Sequence, residues 1–211
     1  MSWRLTGSGI WMRDVDRVLF VLGGLGYALV TFRVLVGILL GGYVIGLVDE
    51  GILMLGIGLL SLAWFIIGGK YGEKLFSITG LLGFVFIGAL LVLKLAPLWM
   101  KNLWVGGANR ALMMFTTVFT MLIRPIMFFL LYAFMAISLN RASQVLHVGF
   151  FKYSSIFLIL YLLANASTLI TSIISPLTLL ELEDIMISAM KILYITACLL
   201  AAYSFISPLL K

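Results

Sequence analysis

Residues 51–69 read Gly51-Ile-Leu-Met-Leu-Gly-Ile-Gly-Leu-Leu-Ser-Leu-Ala-Trp-Phe-Ile-Ile-Gly-Gly69, with no charged side chain among them. Asp49-Glu50 stand before the run and Lys70-Tyr-Gly-Glu-Lys74 after it. At ~1.5 Å per residue, a helix of this length nearly covers the ~30 Å hydrocarbon core of a bilayer. A helix also satisfies its own backbone polar groups where no water is present. The stretch therefore predicts a transmembrane helix closed by a short turn.

The pattern repeats on both sides of it. Apolar runs at 18–48, 75–93, 111–139, 153–175 and 185–207 bring the predicted spans to six. The first is longer than one crossing needs, so it either tilts strongly or begins as a surface helix. Residues 97–110 hold Trp99, Lys101, Trp104 and Arg110, a mixture suited to a segment lying at the interface. The expected fold is an all-α polytopic transmembrane bundle of about six helices, a single integral membrane domain over residues 1–211 located in the cell membrane.

Composition agrees. The chain is 64% hydrophobic and 10% charged, with a mean hydropathy of +1.22, where a soluble domain carries about 25% charged residues. This excludes an ordinary globular enzyme, a disordered tail and a nucleic-acid module with a basic surface. One Cys and one His exclude an internal disulfide and a His/Cys zinc site within one chain. No metal site, cofactor or catalytic set is expected, and the chain is read as not an enzyme. Gly68-Gly69-Lys70 lacks the rest of a phosphate-binding loop. His147 stands in a basic loop without a second ligand.

The 14 Lys and Arg residues exceed the 8 Asp and Glu. With alternating loops, Arg4, Arg13, Arg17, Lys70, Lys74, Arg141, Lys152 and Lys211 fall on one side. Lys94, Lys101 and Arg110 fall on the other, with the acidic stretches 49–50 and 181–184. The positive-inside rule then places both termini in the cytoplasm.

Glycine divides the chain: 20 of 21 glycines precede residue 110. Gly37/Gly41 and Gly42/Gly46 make two GxxxG spacings, and Gly56, Gly58, Gly80, Gly83 and Gly88 continue the series. Small residues let helices approach closely in lipid, so these N-terminal spans are expected to pack tightly. They are also a surface for other membrane subunits or a second copy. The Met-, Phe-, Leu- and Tyr-rich second half is expected to pack more loosely, through large side chains.

Arg33, Arg124 and Lys191 interrupt apolar runs, whereas every acid lies near a predicted loop. An intramembrane cation is costly and is retained for a reason. Arg33 and Lys191 can snorkel, Lys191 toward Asp184. Arg124 lies near the middle of its run beside Pro125, and Thr116, Thr120 and Arg124 share a helical face. Tyr161, Asn165, Thr168, Ser172 and Ser175, spaced 4, 3, 4, 3, form a second polar face. Thr116, Thr120, Arg124, Asn165, Thr168, Ser172 and Lys191 are thus the candidates for a polar path or an anion contact. The alternative for the stripe is structural hydrogen bonding between helices.

The glycine-rich pair of spans around Gly69-Lys-Tyr-Gly-Glu, the loop Asn140-Arg-Ala-Ser, and Phe150-Phe151-Lys152 followed by a polar and then a Leu/Ala-rich span resemble a family of archaeal multi-pass membrane proteins of unknown function. The similar stretches are 53–91 and 139–205. That resemblance implies topology only.

Two functional expectations follow. The first is a non-catalytic scaffold or anchoring subunit of a membrane complex, favoured by short loops and the glycine-rich half. The second is a channel or transporter for an anionic solute, a lipid headgroup or, behind these, an acidic polymer such as DNA. The expected partners are the lipid bilayer, other membrane subunits and an anionic ligand or lipid; nucleic acid is disfavoured.

Overall fold

The computed structural model describes residues 9–39, 46–100, 123–174 and 176–209, together with Met114, Thr117 and Val118. Six long helices account for nearly all of them: α1 Gly9–Leu39, α2 Gly46–Tyr71, α3 Lys74–Met100, α4 Arg124–Val145, α5 Gly149–Ile174 and α6 Pro176–Ile206. All six are long and apolar enough to cross a membrane, and the protein is an all-helical multi-pass membrane protein.

Several boundaries differ from the sequence reading. Residues 46–48 belong to α2 and not to the first span, and Asp49 and Glu50 lie in or beside its first turn. An acid there is stabilised by the partial positive charge of the helix N-terminus. The acidic stretch 181–184 is also helical backbone within α6, not a loop. Helix α3 runs past Lys94 and Pro97 to Met100; the rest of the 97–110 segment lies outside the described residues. Within the run 111–139, α4 opens at Arg124 with Pro125 in its first turn, where the missing proline N–H costs nothing. Ile123, before Arg124, is itself in helical backbone, φ −73° and ψ −44°, and residues 119–122 lie outside the described residues.

Tight turns set the helix directions. Gly72 takes a left-handed φ of 68° after α2, and Glu73 N–H donates to Gly68 O at 3.1 Å, closing the helix end. Between α4 and α5, His147 has φ 54°, which assigns it to a connecting turn. Sequential helices pack side by side, and α6 closes back onto α1, so the six form a ring. At the end carrying the chain's first helical turns, Lys70 pairs with Asp16 and Arg141 with Glu73.

Among the described residues, close glycine contact in α1–α3 is made by Gly56 and Gly83 among others. A Cβ on Gly56 would meet Val30 Cγ2 at 2.8 Å, and one on Gly83 would meet Ser61 Oγ at 1.9 Å. Gly37 meets nothing within 4 Å, and Gly41 and Gly42 lie outside the described residues. The expectation that large side chains hold the second half is incomplete, because small polar residues also join its helices. Ser154 Oγ donates to Ala197 O and Ser155 Oγ to Ala136 O, both at 2.7 Å. These buried serines bind α5 to both neighbours by hydrogen bonds across helices.

Candidate functional site

The two ends of the ring are filled differently. Near the terminal end, Phe205 of α6 stands among rings from three other helices. Its ring centroid lies 6.1 Å from Phe20, 5.9 Å from Tyr27, 5.6 Å from Trp64 and 5.0 Å from Phe151. Phe76 adds a contact to Trp64 at 5.2 Å. Trp64, Phe76, Phe151 and Phe205 are all buried. Trp64 is thus a core residue. Edge-to-face and tilted rings at these separations are favourable, and together they plug the bundle.

At the opposite end lies a cavity of about 470 Å³ between α1, α4, α5 and α6. Its polar lining includes Arg33, Arg124, Lys191, Asn165, Tyr161 and Tyr132. Phe128, Phe129, Leu162, Ile187 and Met190 supply apolar wall. Tyr132 and Tyr194 form the floor: their hydroxyls lie 2.6 Å apart, and both also line a much smaller void of about 10 Å³ on the far side. That void is at the lower limit of what holds a water, about 10–15 Å³. From the mouth inward the order is cavity, tyrosine pair, small apolar void and aromatic plug.

All three cations that interrupt apolar runs line this cavity. Their electrostatic situations differ. Arg33 donates to both oxygens of Asp49, from Nε at 2.8 Å and NH2 at 2.7 Å, a bidentate pair of the strong kind. Arg124 NH1 stands 3.7 Å from Glu50 Oε1, while Lys94 Nζ lies 2.5 Å from the other Glu50 oxygen. Glu50 is thus shared between two cations. Arg124 also sits 5.9 Å from the Phe128 ring centroid, within cation–π range. The expectation that acids near loops leave these arginines without acidic partners is corrected here. Asp49 and Glu50, inside helix α2, reach Arg33 and Arg124 respectively. Lys191 has no carboxylate within ion-pair distance among the described residues, and its expected partner Asp184 does not pair with it.

The α5 stripe divides. Asn165 faces the cavity and its Nδ2 reaches Tyr161 Oη at 3.4 Å, a long hydrogen bond. Thr168 instead donates to Ala164 O at 2.8 Å and contacts Met190 Sδ at 3.7 Å, and it does not line the cavity. Thr116, Thr120 and Ser175 lie outside the described residues, as does the side chain of Ser172. The structure therefore brings Arg124, Asn165 and Lys191 together and adds Arg33, Tyr132, Tyr161 and Tyr194.

Helical spacing carried the signal for two of these additions. Arg124, Phe128 and Tyr132 are spaced i, i+4, i+8, as are the threonines on the other side of Arg124. Ile187, Lys191 and Tyr194 share a face of α6 in the same way. Pairing across helices, as in Arg33–Asp49, leaves no local trace in sequence.

Comparison with protein-family models, curated proteins and solved structures finds no match.

Proposed function

We propose that this protein binds an anionic solute within the membrane, as a carrier or receptor. One observation supports this above all: cations from α1, α4 and α6 converge on one cavity whose neighbouring acids compensate only part of their charge. Arg33, Lys94, Arg124 and Lys191 face only Asp49 and Glu50 among the described residues. Uncompensated cations attract anions strongly where low-dielectric walls focus their field. The cavity stops at the Tyr132–Tyr194 pair, with the aromatic plug behind it. A site open on one side and sealed on the other suits a carrier in one of its two states, with alternation supplied by movement of helices around the site. The eight-to-three distribution of loop cations orients the termini to the cytoplasm, and the mouth then faces outward. On this reading the protein performs no covalent chemistry.

The test is thermal unfolding of the purified protein in detergent at constant ionic strength, with low millimolar sulfate, phosphate or an alkyl carboxylate. A ligand that binds the folded state raises the melting temperature in a concentration-dependent way. At least one anion is expected to do so in the wild type and to lose the effect in Lys191→Met. No shift with any anion would remove this reading.

The scaffold reading keeps one observation of its own. The close approaches at Gly56–Val30 and Gly83–Ser61 pack α1–α3 tightly, which suits anchoring a partner. Stable co-purification of a second membrane protein from native membranes would favour it.

A further inference from the structure

On the footing of the anion-binding reading, we propose that the ligand is a phosphate monoester carried on an apolar group. Charge comes first. Arg33 is committed to both oxygens of Asp49. Arg124 is held only at 3.7 Å by a carboxylate that Lys94 already binds at 2.5 Å. Lys191 has no acidic partner among the described residues. Two positive charges are therefore open to the cavity, which suits a group carrying about −1.5 to −2 charges, as a phosphate monoester does near neutral pH.

Geometry comes second. The least committed donors stand on three walls: Arg124 on α4, the Asn165 amide on α5 and Lys191 on α6. A planar carboxylate offers its lone pairs in one plane, which an arginine fork fits edge-on. A tetrahedral oxyanion presents oxygens in several directions and can meet all three walls. The Asn165 amide is tied only by a 3.4 Å hydrogen bond to Tyr161, so turning it toward a ligand costs little.

Size and wall chemistry come third. The cavity's volume of about 470 Å³ falls among sites of about 300–1,000 Å³ that enclose organic molecules. Phe128, Leu162, Ile187 and Met190 lie between the cations. A bare oxyanion leaves those apolar walls uncovered, whereas an ester's organic part covers them. The ester can come from a lipid with a phosphate headgroup or from a soluble organic phosphate.

The experiment compares the melting shifts produced by inorganic phosphate, hexyl phosphate, hexanoate, short-chain phosphatidic acid and short-chain phosphatidylcholine. Wild type, Lys191→Met and Asn165→Leu are measured in parallel. Hexyl phosphate is expected to act at a concentration about tenfold or more below inorganic phosphate, since each buried methylene contributes about 0.8 kcal/mol. Hexanoate and phosphatidylcholine are expected to be weak. Lys191→Met is expected to weaken hexyl phosphate by about tenfold or more, the value of one charged hydrogen bond. Asn165→Leu is expected to weaken it less. Stronger action by phosphatidic acid than by hexyl phosphate identifies a lipid source, and the reverse a soluble one. Inorganic phosphate or hexanoate acting as well as hexyl phosphate overturns the proposal while leaving anion binding intact. An undiminished response in Lys191→Met overturns the site. Silence toward every anion removes both readings together.

Discussion

The two ends of the helical ring solve the same geometric problem in opposite ways. Six helices in a ring leave a central space that must be filled or lined. At the terminal end, Phe205 fills it with a ring that touches Phe20, Tyr27, Trp64 and Phe151. At the other end, Arg33, Arg124, Lys191 and Asn165 line a cavity of about 470 Å³. The filled end gains dispersion contacts. The lined end forgoes that packing and gathers charge instead. Such a loss of stability is expected at a functional site and is offset elsewhere. Here the offset lies in the glycine contacts of α1–α3 and the serine hydrogen bonds of α4–α6.

Substitution should separate the two ends, and the largest effect belongs to the plug. Phe205→Ala is expected to cost about 3–5 kcal/mol, the usual range for removing a buried aromatic ring. Thermal unfolding in detergent would show this as a large fall in melting temperature, with hexyl phosphate still protective. A small fall would mean that the closed end does not depend on its rings.

Arg33 is next. Arg33→Leu leaves Asp49 without its partner and is expected to cost roughly 1–3 kcal/mol. Arg33→Leu combined with Asp49→Leu should recover part of the loss, because an uncompensated charge is worse than an absent pair. Equal unfolding temperatures for the single and double variants would contradict a structural ion pair.

The tyrosine floor marks the border between the two regimes. Tyr132→Phe removes the hydroxyl contact to Tyr194 and is expected to cost about 1 kcal/mol. Tyr132→Ala should do more than destabilise. The native Cys198 lines the small void and is buried, so an impermeant thiol reagent should leave it untouched in the wild type. Removing the Tyr132 ring joins void to cavity, and Cys198 labelling is expected to rise several-fold. Unchanged labelling would show that the floor lies elsewhere.

Lys191→Met should be the mildest for stability, within about 0.5 kcal/mol, because the side chain is exposed and pairs with no described acid. Its effect is reserved for anion binding.

Much of this fold was legible in the chain because lipid imposes one simple requirement. Uncharged runs such as 51–69 must be helices, and scarce charges mark where they stop. The reading failed where a charge does not mark a stop. Asp49 and Glu50 look like a loop, yet they sit within α2 because the helix N-terminus and two arginines stabilise them. Glu181, Glu183 and Asp184 look like a loop and are helical backbone too. Of the site, Arg124, Asn165 and Lys191 stood out as polar residues in apolar surroundings. Tyr132 and Tyr194 share helical faces with Arg124 and Lys191, but their role shows only once their hydroxyls are seen to meet across helices. Thr168 belonged to the right stripe but satisfies itself on the Ala164 carbonyl, and periodicity does not distinguish the two outcomes.

The contrast between an open and a closed end rests most directly on access to Asn165. In sealed vesicles of known orientation, Asn165→Cys in a Cys198→Ala background can be exposed to an impermeant thiol reagent from either face. Labelling is expected from the face opposite the termini alone, slowed by hexyl phosphate. Labelling from both faces, from the terminal face alone, or from neither would contradict a cavity open on one side and plugged on the other.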